Sequence, residues 1–424
     1  MTAATPPAAA PRAPLKPLDN ALSELLAFAT PLTKREVVST FDADGRVLAQ
    51  DVVSALQVPP QDNSSMDGYA LRCADVAAAD SLVVSQRIPA GSQGQPLLPG
   101  TAARIFTGAP VPTGADAIVM QEDCEVLPTG DDGTTRIVVK QSPQPGQWIR
   151  RAGEDVTQGA VVLSQGIRLT PAALGLAASI GLAQLQVVAR PRVALFSTGD
   201  ELVMPGDVPP EQMPPGAIYN SNRFFLRALL LRLGCEVTDM GIVPDRLEAT
   251  VAALRDASQH HDLILTSGGV SVGEEDHIKP AVQSLGQLNL WQIAMKPGKP
   301  FAYGRIGEGA GASHFIGLPG NPVSSFVTFM LLVRPFLLKL QGVTEVAHKS
   351  IALPADFTWA RPDKRREFLR VRRNAAGGVE LFANQSSGVL TSAVWGDGVV
   401  DNPSGQAIAP GDLVRYIPFT ELQS

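Results

Sequence analysis

The alternation of apolar and polar positions divides the chain into stretches of different period. Residues 18–29, LDNALSELLAFA, set Leu22, Leu25, Leu26 and Phe28 on one side and predict a helix. From about residue 45 to 150 the apolar runs are short and broken by Gly and Pro, as in VLAQDVVSALQVPP, GTAARIFTG and ADAIVMQED, which predicts a β-rich segment. Thr170–Ile180 returns to a helical pattern. From Pro191 strands and helices alternate: RVALF, a helix Ser221–Leu233 with Ser221 as N-cap and Gly234 as stop, CEVTDMGIV, a helix Arg246–Ser258, DLILT, then HFIGL leading into a helix at Asn321-Pro322. That alternation predicts βαβ units and a mostly parallel sheet. From about 345 strand patterns dominate (SIALPADFTW, REFLRVRR, GVELFA, DLVRYIPF), predicting a small barrel or sandwich. No period of the solenoid kind repeats.

Length and composition narrow the class. At 424 residues the chain exceeds one ordinary domain, and 45% hydrophobic with 18% charged residues fits a soluble globular protein. A net charge of −6 excludes a general nucleic-acid binder, and the one short basic run, Lys364-Arg365-Arg366, reads as a solvated strand end. Cys73, Cys124 and Cys235 lack metal-site spacing and read as reduced thiols, which places the protein in the cytoplasm. The N-terminal MTAATPPAAAPRAPLKP has no apolar h-region, so neither a signal peptide nor an anchor is expected, and its Ala/Pro bias predicts disorder over 1–15. Leu169–Ala189 is uncharged and long enough to span a bilayer, but its Pro, Gly and Gln residues argue for a packed helix and no membrane span.

In an open parallel sheet, ligands sit beyond the carboxyl ends of the strands. Three unusual loops follow strands here: STGDEL (197–202), TSGGVSVGEED (266–276) and GLPGNPVSS (317–325). Gly268, Gly269 and Gly273 bare the main chain, and its amides with Ser267 and Ser271 can donate to phosphate. Glu274, Glu275 and Asp276 cannot hold phosphate but can hold Mg2+ beside it. The plainer alternative is a Gly-rich turn before an acid-rich helix start. Asp200 and Glu201 suit a metal or general-base role, or an ordinary turn. Asp245 reads first as an N-cap with Glu248 at N3. Asn321 and Pro322 open a helix behind a Pro-Gly turn, an anion site in form. Lys296 and Lys299 in KPGKP offer two ammonium groups to an oxyanion, or to solvent. Together these loops favour a phosphorylated ligand with a divalent metal.

The same motifs resemble the molybdopterin-binding domain. QDNSSMDGYA (61–70), IFTGAPVPTGADAIVM (105–120) and IRRAGEDV (149–156) narrow the resemblance to the MoeA and gephyrin E-domain type, from about Lys16 onward. It implies a multidomain α/β plus β protein. Its parts are a discontinuous helical domain (16–50 and 155–190), an inserted β-domain (51–154), a parallel-sheet α/β molybdopterin-binding domain (191–343) and a C-terminal β-barrel (344–424). It also implies a homodimer whose cleft lies between the α/β domain of one subunit and the inserted part of the other. The implied reaction inserts molybdate into adenylylated molybdopterin with Mg2+, cleaving the pyrophosphate and releasing AMP.

The resemblance further implies roles residue by residue. Asp62, Thr107, Arg150 and Asp155 shape the cleft, and Glu201 and Asp245 are acidic site positions. Asp276, with Glu201, would hold Mg2+. Lys296 and Lys299 form a basic turn, Pro319 and Pro322 a rigid loop by molybdate, and Arg370 and Ser387 face the cleft from the barrel. A molybdopterin adenylyltransferase is the implied donor, with molybdoenzyme chaperones or acceptors downstream. Glu275, His277 and Asp397-Gly398 depart from the family pattern. Of the competing readings, the long N-terminal half argues against an adenylyltransferase, and Asp62, Glu201, Asp276 and Lys296 argue against a purely structural scaffold; tungstate in place of molybdate is a substrate question within the same chemistry.

Overall fold

The computed structural model describes residues 14–131, 133–269 and 277–423. The expected tail thus lies almost wholly outside the described residues, as do Ser271, Gly273, Glu274, Glu275 and Asp276.

The α/β unit is built from β1 (Arg192–Thr198), α1 (Ser221–Arg232), β2 (Glu236–Val243), α2 (Leu247–His260), β3 (Leu263–Ser267), α3 (Ile278–Leu285), β4 (Gly286–Gln292), β5 (Pro300–Ile306), β6 (Ser313–Leu318) and α4 (Pro322–Thr328). Its sheet runs β2-β1-β3-β6-β5-β4. β2, β1, β3 and β6 are mutually parallel, β5 runs antiparallel to β6, and the edge strand β4, antiparallel to β5, again points the way of the parallel set. Successive residues of β1 serve opposite cores: Val193 and Leu195 pack with Leu263, Leu265 and Leu230, while Ala194 and Phe196 pack with Ile264, Leu254 and Ile278. Both faces are covered, which is why these strands read as unbroken apolar runs.

Helix α4 continues through a π segment, Phe329–Val333, into Arg334–Leu340. This run, Pro322–Leu340, is long and apolar enough to cross a membrane, yet 94% of its most apolar window is buried within the protein, as in a core helix. The packed helix expected at 169–189 is shorter than that stretch: Pro171–Ser179 is helical, capped by the Thr170 hydroxyl, and Gln184–Val188 is a strand.

The N-terminal helix Leu18–Phe28 buries Leu18, Ala21 and Leu25 in the same core as Tyr303 and Phe336, so it packs on the α/β unit. The stretches around 35–54 and 156–188 share one further core. They pair Arg35–Ser39 with Gln184–Val188 and Val52–Val53 with Val161–Leu163. The expected helical domain holds its helices at Leu18–Phe28 and Pro171–Ser179, and short strand pairs join its two pieces. Its alternating Gln184-Leu185-Gln186-Val187 buries every second residue, as a half-buried strand does.

Between those stretches lies a six-stranded sheet from residue 68 to 139, with a small core on each face. In the C-terminal unit, Arg366–Arg373 is flanked by Gly398–Asn402 on one side and by Met295–Lys296 on the other. The α/β and C-terminal units are thus stitched by one ladder. Two short helices, Thr391–Trp395 and Phe419–Leu422, interrupt a region read as strands alone.

Candidate functional site

β1, β3 and β6 are neighbours, so the three loops that follow them open side by side. They enclose a cavity of about 230 Å3 lined by Thr198, Gly199, Glu201, Asp245, Gly268, Gly269, Pro300, Pro319 and Gly320. Among the described residues its lining carries two carboxylates and no Lys, Arg or His.

The backbone conformation explains the glycines. Gly268 and Gly269 have φ of +95° and +67°. A side chain at Gly269 would start 2.5 Å from Ile278 Cγ1 and 2.8 Å from Thr198 Oγ1. The turn thus folds tightly against the strand ends, a path open only to glycine. Beneath it the buried Asn222 donates to Ser267 Oγ (2.8 Å) and to the Gly320 carbonyl (2.7 Å), tying two of the loops together.

Hydroxyls are in excess here. Ser197, Thr198, Thr266, Ser325 and Thr328 are at most 5% exposed, and their side-chain oxygens lack a hydrogen-bond partner among the described residues. Buried hydroxyls normally find a partner, so an orphan such as Thr198 Oγ1 against a cavity suits an oxygen-rich ligand.

The donor set of Glu201, Asp245 and Thr198 is all oxygen, as Mg2+ prefers. No cluster of three or more His, Cys, Asp or Glu forms among the described residues. A Mg2+ here would keep water or ligand phosphate in its shell, its usual habit.

Several expected residues have other engagements. Asp245 does not cap a helix: α2 starts at Leu247 with Arg246 at its N-cap and no side-chain cap bond. The Asp245 amide instead donates to Asp200 Oδ1 at 3.2 Å, and Asp245 lines the cavity. Similarly, Asn220 rather than Ser221 caps α1, accepting from the Arg223 amide. At α4 Pro322 takes the first position as expected, but the Asn321 side chain makes no cap bond, and the Val323 amide donates to the Ser387 carbonyl. Ser387 therefore reaches the site through its backbone, and one amide of the supposed anion site is already used.

Lys296 is not an open cation. Its Nζ lies 3.2 Å from Glu367 Oε1 and 3.6 Å from Asp363 Oδ2. Among the described residues no carboxylate pairs with Lys299, next to Pro300 of the cavity wall. Arg370 is 1% exposed, against the expectation that it faces the cleft. Its guanidinium donates to the Phe368 and Ser386 carbonyls and to Ser392 Oγ, and burial pushes its pKa down to about 10. Of the basic run, Arg365 pairs with Asp363 and Arg366 with Asp401 and Asp19, so neither is simply solvated.

The inserted sheet holds a second group. Asp62 accepts from the Ala152 amide (2.8 Å) and from Arg151 (2.6 Å), and that amide with Arg151 holds its carboxyl below the usual range. Thr107 donates through both its amide and its hydroxyl to Asp67, whose carboxyl is likewise lowered. Asp67, in SMDGYA, is a structural partner the sequence reading missed. Arg150 pairs as a strand with Asn63 and is exposed, as is Asp155. None of Asp62, Thr107, Arg150 and Asp155 lines the cavity beside Glu201.

Family models match the chain in three consecutive parts. They are the MoeA N-terminal region (domain I and II) over residues 16–181, the probable molybdopterin binding domain over 194–339, and the MoeA C-terminal region (domain IV) over 352–419. A molybdopterin molybdenumtransferase of Haemophilus influenzae is 40% identical over 413 residues, covering 96% of this chain and 99% of that protein. Molybdopterin molybdenumtransferase 2 of Mycobacterium tuberculosis is 37% identical over 417 residues, 95% of this chain and 96% of its own. The crystal structure of the molybdopterin biosynthesis moeA protein of Pyrococcus horikoshii OT3 matches with a TM-score of 0.81 at 28% identity, over 96% of this chain and 100% of that one.

Proposed function

The chain belongs to the MoeA family of molybdopterin molybdenumtransferases, and from that membership we propose that it inserts molybdate into adenylylated molybdopterin with Mg2+, releasing AMP, in molybdenum cofactor biosynthesis. The observation that carries the reading is the cavity at the ends of β1, β3 and β6. It combines bare glycine backbone, a Thr198 hydroxyl with no partner among the described residues and two carboxylates, the features a metal-bound pyrophosphate needs.

In this reading the backbone of Gly268 and Gly269 accepts the close approach of the pyrophosphate. Glu201 and Asp245 would hold Mg2+, which supplies positive charge against the leaving phosphate. Asn222 keeps the β3 and β6 loops in register with each other. Lys296 and Lys299 would receive molybdate, a dianion, on the turn before β5. Attack at phosphorus by a molybdate oxygen or water breaks the pyrophosphate bond and AMP departs; the two pterin sulfurs displace an oxygen of molybdate, which leaves as water with the two thiol protons, so molybdenum keeps its oxidation state and ends on the dithiolene. Fixed dipoles and charges around the departing phosphate lower the barrier without reorganising.

The active unit in this reading is a homodimer. Phe41 is 93% exposed beside a groove lined by Pro171, Leu174, Gly175, Ala178 and Leu182, an apolar surface that a second copy would cover. The partner copy would then bring its own Asp62, Thr107, Arg150 and Asp155 toward the cavity that lacks them. The protein would act in the cytoplasm, receive substrate from a molybdopterin adenylyltransferase and pass product to molybdoenzymes or their chaperones. The test is AMP release from adenylylated molybdopterin with Mg2+, with and without molybdate.

A further inference from the structure

Glu367 is a carboxylate with 0% exposure in the C-terminal sheet. Burying an ionised carboxylate is costly unless donors converge on it. Three do. Trp359 Nε1 donates to Oε2 at 2.7 Å and the Asp363 amide to the same oxygen at 3.1 Å, while Lys296 Nζ donates to Oε1 at 3.2 Å. Lys296 and Glu367 are also facing residues of one parallel ladder, so backbone and side chain fix the same pair. The ammonium also lies 3.6 Å from Asp363 Oδ2. Asp363 is held in turn by Arg365, which donates to both its carboxylate oxygens.

We propose that Glu367 is a positioning residue for oxyanion capture: by a hydrogen bond, and with Asp363 as a second ion-pair partner, it holds the Lys296 ammonium in one place and leaves the remaining N–H donors for molybdate. This rests on the molybdenumtransferase reading. An ammonium has three N–H donors; Glu367 takes one, and Asp363 at 3.6 Å holds the charge as an ion pair without taking another. A free lysine would have to surrender its rotamers to bind, whereas a clamped one has already done so. The clamp also spans two structural units, so the oxyanion position is set jointly by the turn before β5 and by the C-terminal sheet.

Glu367→Gln is the informative change. The amide oxygen can still receive Trp359 and the Asp363 amide, which turns the NH2 group toward Nζ and drives the ammonium away. The experiment measures the half-saturating molybdate concentration and kcat for AMP release, together with calorimetric titration of the protein with molybdate. Glu367→Gln is expected to raise the half-saturating concentration about tenfold, the equivalent of one charge-assisted hydrogen bond, with kcat little changed. Lys296→Met should do the same, and Glu367→Gln added to Lys296→Met should add nothing further, as for residues acting as one unit. Trp359→Phe loosens Glu367 without touching either charge and gives a smaller rise in the same direction, which serves if Glu367→Gln fails to fold. Additive effects, or an unchanged molybdate response in Glu367→Gln and Trp359→Phe while wild type responds, overturn the clamp alone. A wild type that neither binds molybdate nor releases AMP in response to it overturns the parent reading and the clamp with it.

Discussion

Asn222 reaches from the first turn of α1 to Ser267 at the end of β3, donating at 2.8 Å to its hydroxyl and at 2.7 Å to the Gly320 carbonyl. One buried amide therefore fixes the spacing of two loops that form the cavity. Asn222→Ala leaves two acceptors unmet and should destabilise the α/β unit by about 2 kcal/mol. Urea denaturation followed by far-UV circular dichroism measures this, and AMP release should fall more steeply than stability does. A variant with wild-type stability and turnover would remove Asn222 from the account.

Gly269 offers a sharper steric test. With φ at +67° and Ile278 Cγ1 2.5 Å from any added Cβ, Gly269→Ala must displace either α3 or the strand-end turn. The expected outcome is loss of AMP release with the inserted sheet and C-terminal unit still folded, read by limited proteolysis and circular dichroism. Gly311→Ala, at an exposed turn where no atom lies within 4 Å of an added Cβ, is the control and should change stability little.

Glu201 carries the metal claim. Its carboxylate folds over Gly199 and lines the cavity. Glu201→Gln keeps the shape and removes the charge, so the half-saturating Mg2+ concentration should rise by about tenfold or more, as expected when a hard cation loses a carboxylate ligand. Titrating Mg2+ at fixed substrate checks it, and an unchanged Mg2+ dependence would contradict the assignment.

Much of this site was legible because its signals were backbone signals. Glycine pairs, a Pro-Gly turn and strand-terminal acids declare a loop's shape whatever surrounds it, and three such loops on neighbouring parallel strands had to converge. What stayed hidden were long-range partners. Nothing near Lys296 in the chain predicts Glu367, 71 positions away. Arg370 looked like an open cation because burial by Phe368, Ser386 and Ser392 is a tertiary fact. Asp245 looked like a cap because Asp before an apolar helix face usually is one, but α2 begins a residue later than that role needs. The short strand pairs around 35–54 and 156–188 were masked because they join segments more than 100 residues apart.

His314 predicts an acid-limb signature. It is 7% exposed, its Nδ1 lies 3.0 Å from the Tyr303 hydroxyl, and burial, aided by Arg305, lowers its pKa from 6.5 to about 4. The folded state holds the ring neutral while the unfolded chain takes up a proton, so stability is full above pH 6.5 and declines as pH falls toward 4. The loss across that window is on the order of 3 kcal/mol. His314→Gln cannot take up the proton and should flatten the decline, measured as melting temperature against pH. An equally steep decline in the variant would assign the acid sensitivity elsewhere.

Phe41 tests the dimer. A fully exposed phenylalanine beside an apolar groove suits a partner surface. Phe41→Asp should give a monomer by analytical ultracentrifugation and should lose AMP release, although the cavity beside Glu201 is untouched. A monomeric variant with full turnover would show that one chain suffices.

The central claim is that the glycine-and-carboxylate cavity supports molybdate-dependent cleavage of an adenylylated pterin. The most direct measurement follows AMP release by purified protein from adenylylated molybdopterin in Mg2+, with and without molybdate. The account predicts release that requires both Mg2+ and molybdate, with molybdenum retained on the pterin. Substrate binding with no AMP release under any combination of the two would contradict it.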